Sequence, residues 1–110
     1  MPFRGFQERL QDILTEIEEI QLMVSDLSFE DFCQDRRTIK AILYSLAVIG
    51  EAAASLLPEV AELYPKIPWR QMRGMRNITV HEYFQVDLTI IWETIQTDLP
   101  ALHASLKELM

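Results

Sequence analysis

DRRTIKAILYSLAVIGEAAASLL, residues 35–57, decides the fold. Ile39, Ile42, Leu43, Leu46, Ile49, Ala53 and Leu56 recur at spacings of three and four, the period that lines one face of an α-helix. Ala41, Ala47 and Ala52 to Ala54 leave room for a neighbouring helix to approach closely. Tyr44 and Val48 fall off the stripe. The helix is therefore expected to be covered on more than one side, at the bundle centre or at a subunit interface. Pro58 ends it, because proline removes a backbone donor and clashes with the preceding turn. The most apolar run, Ala41 to Gly50, is about half of what spans a bilayer, and Ser45 interrupts it.

The same period extends outward in both directions. Phe6, Leu10, Ile13, Leu14, Ile17, Ile20, Val24 and Leu27 form the stripe of an N-terminal helix, with Glu8, Asp12, Glu16, Glu18 and Glu19 largely off it. Ser28 followed by Asp31 reads as a capped short turn. PEVAELYPKIP, residues 58–68, has room for one short helix. Pro68 suits the first turn of the next, which carries Trp69, Met72 and Met75 and fades near Val80. His81 to Val86 reads as a connection. Asp87 is a good N-cap for a last helix striped by Leu88, Ile91, Trp92, Ile95, Leu99, Leu102, Leu106 and Leu109. Pro100 should kink or restart it, with Asp98 as the cap. The expectation is an all-α bundle of four to five helices, one domain over residues 1–110.

With 110 residues and 49% hydrophobic side chains, the chain has the composition of a globular domain rather than of a disordered one. Cys33 is the only cysteine, so no intramolecular disulfide can form; it reads as a small half-buried hydrophobe. MPFRGFQERLQD at the N-terminus lacks the apolar run of a signal peptide. The expected setting is cytoplasmic, with no membrane association.

The formal charge of -7 argues, on average, against nucleic acid as a partner. Its distribution says otherwise. Residues 1–34 hold eight acids and two bases, residues 35–65 four and three, and residues 87–110 four and one. Residues 66–86 hold one acid, Glu82, against Lys66, Arg70, Arg73 and Arg76. The acidic total thus surrounds one segment of charge +3.

That segment also holds His81, one of two histidines. Arg70, Arg73 and Arg76 are spaced by three and make one ridge on a helix. Guanidinium groups supply planar donors that never deprotonate, the requirement for holding a phosphate. A histidine titrates near neutral pH and can move a proton at working pH. Arg76 with His81 could hold a phosphodiester and run acid–base chemistry on it, with Asn77 as a polar neighbour and Tyr83 offering a hydroxyl. From composition alone, the same residues also read as a solvated or ion-paired face, a helix-end histidine and core filler. His81, His103 and Cys33 show no metal-like spacing, so neither a metal site nor another cofactor is expected. Gly74 costs about 1 kcal/mol relative to alanine inside a helix, and is expected to mark the close approach of another backbone or of a ligand.

Arg76-Asn-Ile-Thr-Val-His81-Glu-Tyr83 resembles the Arg-x4-His-x-Tyr motif of the HepT family of toxins, in the HEPN superfamily. Ile49-Gly-Glu-Ala-Ala53, Tyr64-Pro-Lys-Ile-Pro-Trp69, Gly74-Met-Arg-Asn77, His81-Glu-Tyr-Phe84, Val86-Asp87, Trp92 and Asp98-Leu-Pro100 are similar to that family's pattern along essentially the whole chain. The resemblance implies an all-helical HEPN-type homodimer that brings two copies of the motif to one cleft. It implies a metal-independent endoribonuclease acting on RNA (tRNA or mRNA), the toxin of a HEPN–MNT toxin–antitoxin system. Arg76 and His81 would be catalytic, and Asn77, Arg73 and Arg70 supporting or phosphate-binding, the last two from their position alone. The implied partner is an MntA-like nucleotidyltransferase antitoxin, which would transfer AMP to Tyr83. The competing reading is a non-catalytic helical partner, or a nucleotide-binding subunit, of a nucleotidyltransferase complex.

Overall fold

A computed structural model of the chain describes residues 5–77 and 86–110. The described residues are all helical apart from turns and connections. The segments are α1 (Phe6–Val24), α2 (Phe29–Gln34), α3 (Arg36–Leu56), α4 (Glu59–Leu63), α5 (Trp69–Gly74), α6 (Leu88–Glu93) and α7 (Leu99–Lys107). A 3-10 turn, Met75–Asn77, prolongs α5, and a π-helical turn, Thr94–Asp98, joins α6 to α7.

α1 starts at Gly5, whose φ of 81° is open to glycine at little cost. Its stripe is buried from Phe6 to Val24 as the period requires, and Leu27 lies past its end, half-buried. Ser28 caps α2 by accepting the Asp31 N–H at 3.1 Å. α3 lies in the middle, packed on α1, α2, α5 and the 3-10 turn, while α1 also meets α7. Every residue of the α3 stripe is buried. Within the chain, α3 takes the centre of the bundle. Its remaining face carries Tyr44, 71% exposed, and Ala41.

By length and composition α3 could cross a bilayer, with a mean hydropathy of 1.5 over its most apolar window. Apolar character therefore extends over more of the helix than the Ala41–Gly50 run alone. Half of that window is buried inside the bundle, as in a core helix.

The N-terminus of α3 is set by Asp35. Its carboxylate accepts from the Thr38 hydroxyl at 2.7 Å and from the Thr38 N–H at 3.1 Å. The hydroxyl bond and then the N–H bond, with help from the Arg37 charge, hold the Asp35 carboxyl below the usual aspartate range against some desolvation. A carboxyl whose pKa falls on folding stabilises the fold above its unfolded-state value. That contribution is lost as pH drops through the folded-state value. Asp35→Ala is therefore expected to lower the melting temperature near neutral pH, through loss of the cap. The gap to wild type should close in acid. A gap of constant size across a pH series of thermal melts would contradict this account.

The loop before α5 is tied to the core at two points. The Tyr64 ring stacks on Phe6 at 5.7 Å, and the Trp69 indole N–H donates to the Tyr64 carbonyl at 2.9 Å. Trp69 itself is 1% exposed. These contacts explain the block Tyr64 to Trp69 physically, because they fix where α5 begins.

Asp87 caps α6, accepting the Thr89 and Ile90 N–H groups at 2.9 and 3.4 Å. The expected cap at Asp98 is corrected: its φ and ψ of -75° and -43° are helical, and its side chain makes no capping bond. The expected restart at Pro100 is local: the helix loosens into the five-residue π turn that ends directly before α7, so the missing proline N–H falls in the first turn of α7. The Thr94 hydroxyl donates to the Ile90 carbonyl at 2.9 Å, a bond that competes with the backbone ladder and favours a bend there.

Candidate functional site

α5 is short, and its core side holds it in place. Trp69 and Met72 are each 1% exposed. The rest of its circumference carries Arg70, exposed, and Arg73, half-buried. After Gly74 the chain tightens into the 3-10 turn, which delivers Arg76 half-buried and Asn77 exposed. Spacing by three is kept across both kinds of helix, so Arg70, Arg73 and Arg76 follow one ridge. His81 and Tyr83 lie outside the described residues, as does the expected fading of this helix near Val80.

The turn is seated on α3 at Gly50. A Cβ at this position would overlap the Arg76 backbone N, lie 2.8 Å from the Arg76 Cβ and 3.0 Å from the Arg73 carbonyl oxygen. Only glycine lets the two segments come this close. The next residue, Glu51, places Oε1 3.5 Å from Arg76 Nη1. Both side chains are substantially solvated, at 41% for Arg76 and 69% for Glu51. Such a pair adds about 0–1 kcal/mol to stability. The ion-paired face foreseen as the ordinary alternative is thus present at Arg76, and its partner is an acid on the central helix.

Gly50 and Glu51 are site residues that the sequence showed only within the block Ile49 to Ala53, with no contact to Arg76 assigned to them. The signal was available for Gly50, a glycine in the middle of an apolar helix. A close backbone approach is found at Gly50; of the two expectations for Gly74, the described residues bear only on the backbone one. Among the described residues nothing lies within 4 Å of a Cβ built on Gly74.

The remaining polar candidates sit elsewhere. Cys33 is half-buried against the core, as expected of a small hydrophobe. His103 Nε2 lies 2.8 Å from Glu18 Oε2 and links α7 to α1. A groove of about 850 Å³ runs between α5 and the α6–α7 run. Its floor includes Leu46, Met72 and Ile91, its rim Gln71, Thr94 and Asp98, and none of the described arginines lines it. Cavity and positive charge are therefore separate features.

The described geometry supplies an anchored arginine with solvated donors. It also places Arg73 and Asn77 beside Arg76 in the chain. Chemically, this is an anion-holding edge rather than an enclosed pocket. Comparison with known proteins shows a likeness along most of the chain. Residues 13–109 match the family described as Ribonuclease HepT-like. The chain is 37% identical over 106 residues to a Thermococcus cleftensis protein named probable ribonuclease HepT, covering 96% of each chain. It is 43% identical over 101 residues to a protein of Caldanaerobacter subterraneus subsp. tengcongensis whose name describes an RNase, covering 92% of this chain and 90% of that one. A similarly named protein of Methanocaldococcus jannaschii is 35% identical over 100 residues, covering 91% of this chain and 83% of the relative. No solved structure matches the chain.

Proposed function

From the premise that the chain belongs to the ribonuclease HepT-like family, we propose that it is a metal-independent endoribonuclease and the toxin of a HEPN–MNT toxin–antitoxin pair. The observation that carries this reading is the seating of Arg76. Its backbone is held against Gly50 and its guanidinium reaches the surface. Residues 1–110 act as one domain in this reading, and the setting is cytoplasmic.

The reaction follows from the groups available. The ribose 2′-hydroxyl attacks the adjacent phosphorus, and the P–O5′ bond breaks. His81 of one protomer takes the hydroxyl proton, and the symmetric copy in a homodimer gives one to the leaving oxygen. Products are a 2′,3′-cyclic phosphate and a 5′-hydroxyl. Arg76 holds the phosphate and stabilises the charge that builds on it during the transfer. Asn77 orients the motif, and Arg73 and Arg70 extend the phosphate track.

Neutralisation falls to a nucleotidyltransferase antitoxin that transfers AMP to Tyr83. The added group brings bulk and negative charge into the motif, where it competes with RNA for the Arg76 guanidinium.

The purified chain, incubated with total RNA in the presence of a chelator, is expected to produce fragments with those ends. Absence of cleavage by the folded dimer would favour the non-catalytic partner instead. Co-expression with the antitoxin should give a Tyr83 peptide carrying AMP. An unmodified peptide in a neutralised complex would mean inhibition by binding alone.

A further inference from the structure

We infer that Glu51 is a positioning residue for Arg76, orienting the guanidinium for the phosphate; this inference rests on the reading of Arg76 as the phosphate ligand. Two consecutive residues of α3 address the same arginine. Gly50 fixes its backbone by close contact, and Glu51 meets its Nη1 at 3.5 Å. The same turn of the central helix therefore sets both the origin and the direction of this side chain.

The choice of nitrogen matters. A guanidinium carries five N–H donors in a planar fork. With Nη1 turned toward Glu51, the Nε–Nη2 edge is left to bind two phosphate oxygens in parallel. Without the carboxylate, a 41%-exposed arginine would sample many rotamers. It would then present that edge to the phosphate only part of the time, a loss that falls on the chemical step rather than on binding.

Stability does not explain the pair, because both partners are solvated. Long-range attraction does not explain it either. A carboxylate beside the +3 segment repels RNA, so a purely electrostatic accounting would leave the position neutral or basic. Orientation of Arg76 is the role that a solvated acid at this place can fill.

Kinetics separates these roles. Glu51→Ala is expected to lower kcat about ten- to a hundred-fold, as misplacement of a phosphate ligand does. KM should stay level or fall, since a repelling charge is gone, and the melting temperature should not move. Glu51→Gln keeps an acceptor oxygen at the same reach and should recover most of kcat. A lower KM with unchanged kcat in both variants would overturn the inference and leave Glu51 as a competitor of the phosphate. Parallel losses of kcat and melting temperature would also overturn it, in favour of a structural role.

A second measurement needs no turnover. In RNA-free protein, 15N NMR should resolve the Arg76 Nη signals in the wild type and show them averaged in Glu51→Ala. Signals averaged in both would overturn the positioning role. Ordered signals in a chain that cleaves no RNA would keep the orientation and discard the ribonuclease reading instead.

Discussion

Arg76→Ala is expected to lower RNA cleavage by about 10²- to 10³-fold, the range typical when one charge-stabilising donor is removed from a transition state. The substitution removes the guanidinium that would face the phosphate. It leaves the backbone N and the Cβ that pack on Gly50 in place. The lost ion pair with Glu51 is long and solvated, so the fold should change by less than about 1 kcal/mol. Loss of activity would then be chemical rather than structural, and circular dichroism with thermal melts checks that directly. Arg76→Lys should recover part of the binding but little of the rate, because an ammonium cannot offer two parallel donors to one phosphate. The pH–rate profile adds a second reading. If His81 carries the proton transfers, Arg76→Ala should lower the profile without changing its shape, whereas His81→Ala should remove the pH-dependent limbs along with the activity. Wild-type rates in folded Arg76→Ala would sink the assignment of Arg76 as phosphate ligand.

The fold was legible because its signals are local. The stripes of α1 and α3, the caps at Ser28 and Asp87, and the short helix between Pro58 and Pro65 each depend on residues within a turn or two of one another. Asp98 misled because an acid ahead of a proline looks like a cap in a linear sequence. Whether it caps depends on leaving helical geometry, and here the π turn keeps it helical. The site was legible only in part, for a related reason. Arg76, His81 and Tyr83 form one linear motif, and the family resemblance rests on it together with the ordered blocks along the chain. Gly50 and Glu51 lie 25 or more residues upstream of Arg76 in sequence and meet it only through packing of α5 and its 3-10 turn on α3. Helical periodicity assigns Gly50 to a buried face but cannot say which atom lies opposite. Nor can it tell Gly50 from Gly74, which sits beside the arginines in sequence, as the place where another backbone comes close. The charge reading changes as well. The basic segment is not isolated from the acids of the chain, because folding brings Glu51 against its central arginine.

Gly50→Ala is expected to damage the protein in two measurable ways, and Gly74→Ala in neither. The added methyl at Gly50 meets the Arg76 N and Cβ and the Arg73 carbonyl oxygen. None of these atoms belongs to the far end of a flexible side chain, so none can swing aside. Either α3 and the 3-10 turn separate, or the turn shifts along α3. Overpacking of this kind costs about 1–3 kcal/mol, while alanine returns up to about 1 kcal/mol of helix propensity. The net loss should appear as a lower melting temperature. The shift also moves Arg76, and a displacement of about 1 Å at a phosphate ligand can cost about a hundred-fold in rate. The rate loss should therefore exceed what partial unfolding explains, and it should persist at temperatures where the variant is fully folded. At Gly74 no described atom opposes a methyl within 4 Å, so alanine there should leave stability level or raise it by up to about 1 kcal/mol. Equal melting temperatures and equal rates for Gly50→Ala and wild type would show that the turn can yield without moving Arg76. The close seat on α3 would then not be what places the arginine. A folded Gly50→Ala with intact stability but lost cleavage would instead tie the glycine to the position of Arg76 alone, since alanine's own helix preference would then have offset the strain.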